Sequence, residues 1–320
     1  MFAVTATSLN PDDPLEGLTL TEDAPEPDVA DGWEVVEVRA ASLNHHDVWV
    51  LRGVGASQER LPIVLGCDAA GVTADGREVV VHAVIADPSG DETLSDDFSI
   101  LSDKHQGTFA ERVAVPRRNL VDKPAEFSFE EAACLPTAYL TAYRALFTRG
   151  RLGPGDRLLI QGAGGGVSTA AIQLATGAGA YVCVTSRSEE KRERALELGA
   201  QAALPAGERL PERVDLVLES VGQATWDHSL KSARTGGTVV VVGATSGRSA
   251  PTFIPQIFFR QLNVVGSTMG TRDELVSLVR FLEVTGVRPI IDEALPMTEA
   301  PKAFARMWEG DLFGKLILTR

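Results

Sequence analysis

A chain of 320 residues with 44 % hydrophobic and 23 % charged side chains can bury a sizeable core in each of about two domains. A formal net charge of −14 excludes sequence-independent nucleic-acid binding, which needs basic surface to neutralise phosphates, and it excludes docking on anionic lipid. Three scattered cysteines, Cys67, Cys134 and Cys183, offer no disulfide framework, the N-terminus has no signal-peptide pattern and no apolar run approaches the ~20 residues that span a bilayer, so a cytoplasmic location is expected.

In chain order, the first third reads as β-rich. Short apolar runs at 33–38, 79–84 and 109–115 are separated by Pro, Gly and Asp. The acidic stretch 87–97 is expected to be a solvated loop. From Leu135 the texture changes to helices alternating with apolar strands. A helix over 139–149 is followed by the turn Gly153-Pro154-Gly155-Asp156, a strand over 157–161, and a glycine cluster opening a helix that runs through Ala175. Further apolar runs at 181–185, 216–219, 238–243 and 263–267 have helical or loop segments between them, the pattern of a parallel sheet covered on both faces. An amphipathic helix over 273–284 carries Leu275, Leu278, Val279 and Leu282 at helical spacing, and an apolar strand at 315–319 follows. There is no internal repeat.

The strongest local signal is the loop from Gly162 through Gly164, Gly165 and Gly166 to Val167, between a predicted strand and a predicted helix. Glycine permits the tight turn and lets backbone N–H groups approach a pyrophosphate resting on the positive helix N-terminus. The context that a dinucleotide motif requires is therefore present. The next strand ends not on a carboxylate, as an NAD site usually does, but on Ser186-Arg187-Ser188. The Ser-x-x-Glu spacing of Ser186 and Glu189 predicts a capping box, placing Arg187 and Lys191 in the first turns of a helix. Positive charge is disfavoured there unless an anion sits between the two, and the 2′-phosphate of NADP(H) supplies one. The competing reading is a surface helix laced with pairs such as Glu190–Arg194.

The chain resembles the medium-chain dehydrogenase/reductase superfamily in its zinc-independent quinone-oxidoreductase-like branch. The resemblance is carried in order by Ala41-Ser42-Leu43-Asn44-His45-His46-Asp47, Leu65-Gly66-Cys67-Asp68-Ala69-Ala70-Gly71-Val72 and Gly107-Thr108-Phe109-Ala110-Glu111. It continues through Glu131-Ala132-Ala133-Cys134-Leu135-Pro136, Leu140-Thr141-Ala142-Tyr143, the glycine loop and Gly314-Lys315-Leu316-Ile317-Leu318. It implies an α/β fold: a GroES-like β-rich barrel domain over 1–122 and 268–320, and a Rossmann doubly wound parallel-sheet domain over 123–267 binding NADP(H). It also implies a homodimer formed by extending the parallel sheet at 263–267, where an apolar edge strand is a template for pairing. Phe253, Phe258 and Phe259 lie near that edge or near the substrate site, core packing being the commoner fate of such aromatics.

Zinc-dependent relatives hold catalytic zinc at positions that here are Asn44, Cys67 and Thr137, one soft ligand with two weak neutral ones, too few for a tetrahedral site. The four closely spaced cysteines of a structural zinc lobe are absent near 85–105. Adjacent residues of a strand face opposite ways, so if the segment is extended His45 and His46 do not both join Cys67 on one ion; one of them, with Asp68, remains an alternative. Without a Lewis acid, reduction of a quinone, an enone or another small carbonyl is favoured over simple alcohol oxidation. The resemblance places Asn44 at the nicotinamide ribose and Thr137 near the ring, while His46, Asp47 and Tyr139 are candidate proton donors. Strand ends supply further cofactor contacts: Ser220, Val221 and Gly222; Gly243, Ala244 and Thr245; Ser267, Thr268 and Met269. Gly314 and Lys315 are expected to close over the nicotinamide. The alternatives are a zinc-type alcohol dehydrogenase with atypical ligands, and a cofactor-binding redox sensor without turnover.

Overall fold

The structure, a computed structural model, describes residues 1–320 and divides into two compact units. The first comprises residues 1–138, 269–284 and 288–320; the second comprises 139–268 with 285–287. The segment 123–138, expected with the parallel-sheet part, thus packs in the first unit.

The first unit is built on a seven-stranded sheet. Its order is Leu120–Asp122, Glu78–Val81, Asp68–Thr73, Trp33–Ser42, Lys315–Thr319 and Ile291–Pro296, with Arg112–Pro116 pairing the outer half of Trp33–Ser42. Strand Trp33–Ser42 runs antiparallel to both Asp68–Thr73 and Lys315–Thr319, with Ser42 opposite Asp68 on one side and Ile317 on the other. Three segments far apart in the chain therefore end side by side. A smaller sheet of Leu18–Thr21, Ala3–Ala6 and Ile63–Val64 accompanies it. Val36, Val38, Leu65, Val79, Val81, Phe109 and Phe304 form its core.

The second unit has six parallel strands in the order Ala202–Pro205, Tyr181–Ser186, Arg157–Gln161, Val214–Glu219, Ala233–Val241 and Asn263–Gly266. Strand order reverses between Arg157–Gln161 and Val214–Glu219, and open α/β sheets bind ligands at the carboxyl ends beside such a switch. Apolar Leu158, Leu159, Val182, Val184, Val217 and Val239 are buried, as a sheet covered on both faces requires.

Several local expectations change. The acidic stretch is not wholly solvated: Glu92 is buried against His82 and Arg118. Residues 45–51 form a helix, His45–Leu51, so the opposite-faces argument for His45 and His46 does not apply. Phe253, Phe258 and Phe259 are not core residues but are 69 %, 57 % and 76 % exposed. No helix is long and apolar enough to cross a membrane.

Candidate functional site

The glycine loop has the predicted context. Strand Arg157–Gln161 ends at Gly162, whose φ of +86° is open to glycine at no steric cost, and helix Gly166–Gly177 starts after Gly165 as N-cap. A Cβ added to Gly165 meets nothing within 4 Å, and the first turn of the helix carries no acidic side chain. Backbone N–H groups at this terminus are open to an anion brought close.

Around the loop, the strand ends are held by two residues that sequence reasoning missed. Gln161, buried, accepts a hydrogen bond from Thr185 Oγ1 (2.6 Å) and donates to Ser229 Oγ (2.9 Å). Glu219, also buried, accepts from the backbone N–H groups of Val221 (2.8 Å) and Gly222 (2.9 Å) and from the hydroxyls of Thr225 and Ser229. It thereby shapes the turn carrying Ser220 and Val221. Thr245 lies by the same turn, its N–H reaching the Ser220 carbonyl at 3.5 Å, with Gly243 and Ala244 preceding it. Ser267 follows the last strand, and its buried Oγ has no hydrogen-bond partner, a polar atom left for a ligand. Thr268 is exposed, whereas Met269 turns at φ +49° and buries its side chain in the core of the first unit.

The charge site differs in register from its prediction. Ser186 is the last residue of its strand, held extended by pairing with Pro205, so it does not cap the helix. Ser188 does: its Oγ accepts from Lys191 N (3.2 Å), and the helix is Glu189–Glu197. Arg187 therefore precedes the helix and is exposed, while Lys191 sits at its third position. Arg192 joins them, donating from Nη1 to the Ser186 carbonyl at 2.9 Å. The fit to a dinucleotide thus rests on the open Gly165 position, the unpartnered Ser267 hydroxyl and these cations at the second strand.

In the first unit, the convergence of three strands builds a buried polar centre. Asp68 is fully buried and accepts hydrogen bonds from Ser42 Oγ (2.7 Å) and Asn44 Nδ2 (2.8 Å) on one oxygen and from Thr137 Oγ1 (2.5 Å) on the other. Asn44 accepts from Lys315 Nζ through Oδ1 at 2.5 Å, and Lys315 also donates to the Leu43 carbonyl at 2.7 Å. Lys315 Nζ stands 4.0 Å from Asp68 and is itself buried, so this lysine serves the centre rather than an open surface. Cys67 Sγ contacts Asn44 Nδ2 (3.5 Å) and Thr137 Oγ1 (3.4 Å). Burial pushes the Asp68 carboxyl above its ordinary range, with Lys315, Thr137, Asn44 and Ser42 pulling it back. Burial also holds the Cys67 thiol protonated, against any thiolate role.

Asp47, fully buried, accepts from Asn44 N at 2.8 Å, and burial raises its carboxyl from 3.8 to about 7. His46 pairs through Nε2 with Ser102 Oγ at 3.2 Å, and burial lowers it from 6.5 to about 4, so the ring is neutral at ordinary pH. Tyr139 is fully buried in the second unit, its hydroxyl donating to Gln173 Oε1 at 2.6 Å. No group of three His, Cys, Asp or Glu side chains is arranged to hold a metal ion. The donor set does not fit zinc: Asn44, Cys67 and Thr137 are tied to one another and to Asp68, beside an ammonium.

Comparisons with known proteins bear on both units. Residues 30–125 match the family model for an alcohol dehydrogenase GroES-like domain, and residues 166–284 match that for a zinc-binding dehydrogenase. A zinc-type alcohol dehydrogenase-like protein of Schizosaccharomyces pombe is 31 % identical over 90 % of each chain. A 2-methylene-furan-3-one reductase of Solanum lycopersicum is 32 % identical over 95 % of this chain and 76 % of its own. A solved NAD-dependent alcohol dehydrogenase superposes with a TM-score of 0.92 at 33 % identity, each chain covered in full.

Proposed function

The chain belongs to the medium-chain dehydrogenase/reductase superfamily and is an oxidoreductase of small molecules, and we propose that it moves hydride between NADPH and a small quinone, enone or other carbonyl compound without a zinc ion. The observation carrying this reading is the composition of the buried centre, in which Lys315 is the one cation and the positions expected of zinc ligands are spent on hydrogen bonds to one another, to Lys315 and to Asp68. With no Lewis acid to polarise an isolated carbonyl, acceptors whose hydride adduct is a delocalised anion are favoured. The likeness to a reductase of 2-methylene-furan-3-one, a conjugated ketone, supports that class.

The second unit holds the cofactor. Gly162, Gly164, Gly165, Gly166 and Val167 receive the pyrophosphate on the helix N-terminus, and Ser186, Arg187 and Lys191, with Arg192, receive the 2′-phosphate. Ser220, Val221, Gly243, Ala244, Thr245, Ser267 and Thr268 line the strand ends beside it. When bound, the reduced nicotinamide supplies the hydride. Asn44 and Thr137, their rotamers fixed by Asp68 and Lys315, are the candidates for orienting the reacting partners. The working form is a homodimer joined along Asn263–Gly266, the sheet's open edge, where Val264 is exposed, as are Phe258 and Phe259 of the preceding helix Ile254–Phe259.

The test combines binding, turnover and metal content. Purified protein titrated with NADPH and NADH should prefer NADPH, and its reduced-nicotinamide absorbance should fall with quinones or enones, unaffected by chelator. Stoichiometric zinc lost together with activity overturns the zinc-free reading in favour of an alcohol dehydrogenase with atypical ligands. NADPH binding without oxidation by any acceptor overturns the enzyme reading in favour of a sensor.

A further inference from the structure

In the second unit the carboxyl ends of three neighbouring strands are joined through side chains, and the chain of hydrogen bonds runs on to a histidine. Thr185 Oγ1 donates to Gln161 Oε1 at 2.6 Å, and Gln161 Nε2 donates to Ser229 Oγ at 2.9 Å. Ser229 Oγ donates in turn to Glu219 Oε2 at 2.5 Å. The same Gln161 Nε2 stands 2.8 Å from His228 Nδ1, and His228 Nε2 stands 2.8 Å from the Glu208 carbonyl. Ser229 is buried and His228 partly exposed on helix Trp226–Ser232.

Donors and acceptors leave one arrangement. A carbonyl only accepts, so His228 Nε2 carries the ring proton and Nδ1 accepts from the Gln161 amide. Every hydrogen bond at Glu219 is donated to it, by Val221 N, Gly222 N, Thr225 Oγ1 and Ser229 Oγ. The single Ser229 proton is therefore committed, and its oxygen accepts from Gln161. Gln161 thus turns its NH₂ to His228 and Ser229 and its oxygen to Thr185. Protonation of His228 breaks this order, because both ring nitrogens then donate and Nδ1–H meets an N–H of Gln161. Rotating the amide by half a turn satisfies the histidine but sets the Gln161 oxygen against Ser229 Oγ.

Resting on the cofactor assignment above, we propose that His228 is a positioning residue for the dinucleotide: its neutral ring, acting through Gln161 and Ser229, holds Glu219 and the turn after it in the binding position, and its protonation weakens cofactor binding. Glu219 Oε1 fixes the N–H groups of Val221 and Gly222 at 2.8 and 2.9 Å. Gly162, first of the glycine loop, donates its N–H to the Thr185 carbonyl at 2.9 Å, and a Cβ there would stand 3.5 Å from Val221 Cγ2. The network therefore meets the loop from both flanking strands. Around helix Trp226–Ser232 the neighbouring elements bring Glu219, Asp215 paired with Arg234, Arg260 on the Leu230 carbonyl with Arg213 near it, Cys183 and Glu208. On the helix itself Asp227 and Lys231 pair with each other. Of these only Glu219 gives a side chain to the hydrogen-bonded network.

Calorimetric binding of NADPH and of NADH from neutral to acid pH tests the proposal on wild type, His228→Asn and Gln161→Leu. The His228 ring and Gln161 amide are followed by NMR in the cofactor-free protein. Both cofactors are needed because the 2′-phosphate of NADPH itself titrates, whereas NADH has none. Wild type should lose about ten-fold in affinity for both as the His228 ring gains its proton, the scale of one hydrogen bond, and the Gln161 amide signals should move with that titration. Asparagine sets an oxygen where Nδ1 stood and does not protonate, so His228→Asn should bind both with an affinity that no longer falls toward acid. Gln161→Leu should bind both weakly at every pH. A constant NADH affinity in wild type, an acid decline that persists in His228→Asn, or wild-type binding by Gln161→Leu overturns the proposal. Binding of neither dinucleotide at any pH overturns the cofactor assignment with it. Affinity that follows His228 in a protein reducing no acceptor overturns the reductase reading alone.

Discussion

At the scale of single residues, two positions test separately the proposed dinucleotide site and the proposed choice of NADPH over NADH. Gly165 has φ −73° and ψ 155°, which alanine adopts freely, and the space around its Cβ direction is open. Gly165→Ala should therefore leave the melting temperature near that of wild type while weakening NADPH and NADH alike, because the methyl stands where backbone and pyrophosphate must approach. Arg187→Ala should act on one cofactor only: about 1.5–3 kcal/mol of NADPH affinity lost, the range for a charged hydrogen bond, with NADH unchanged by calorimetry. Equal losses for both cofactors would contradict the 2′-phosphate assignment. The strand–loop–helix setting of the glycine loop was legible in the sequence because it is a local signal, residue types at a fixed offset from a strand. Asp68 was weighed only as a metal ligand, since its place at the centre comes from pairing of Ser42 with Asp68 and of Ile317 with Ser42, across contacts no local pattern encodes. Glu219 and Gln161 were missed for the same reason.

At the scale of elements, the parallel sheet was readable from its apolar runs except for Ala202–Pro205, four residues that are no more than half-buried and carry no strong β signal. That missed strand also explains the misplaced helix start: its pairing through Pro205 keeps Ser186 extended and passes the capping role to Ser188. Ser188→Ala should cost roughly 0.5–2 kcal/mol by denaturant unfolding, whereas Ser186→Ala should not reproduce a cap loss. At the opposite edge, Asn263–Gly266 pairs on one side only, and the exposed Phe253, Ile254, Phe258 and Phe259 precede it in the chain. Exposed large apolar side chains grouped in one segment suit an interaction site, and an edge strand pairing with its own copy across a two-fold axis would close the assembly. Phe259→Asp, an exposed substitution with little to lose in the core, should convert a dimer to monomer in sedimentation velocity while leaving the far-ultraviolet circular dichroism intact. A wild-type monomer would remove the edge-pairing proposal.

At the scale of the whole molecule, His46 and Asp47, consecutive and both shifted by burial, set opposing slopes on stability against pH. The His46 ring is lowered from 6.5 to about 4, so between those values the unfolded chain binds more protons and stability rises with pH. The Asp47 carboxyl is raised from 3.8 to about 7, so across that window the folded chain binds more protons and stability falls as pH rises. The two nearly cancel from about pH 4 to about 6.5, and only the Asp47 slope continues to about 7. Wild type should therefore show a flat unfolding free energy through the acid range and a decline toward neutrality. Asp47→Asn keeps an oxygen for the Asn44 N–H and removes the titration, so its stability should climb with pH until the histidine contribution is complete. Its advantage over wild type should grow toward neutral pH, by an amount on the order of a few kcal/mol if the carboxyl is as strongly shifted as its burial implies. Denaturant melts at a series of pH values measure both curves. An Asp47→Asn profile parallel to wild type would show that Asp47 is ionised in the folded protein at acid pH, against a carboxyl raised by burial.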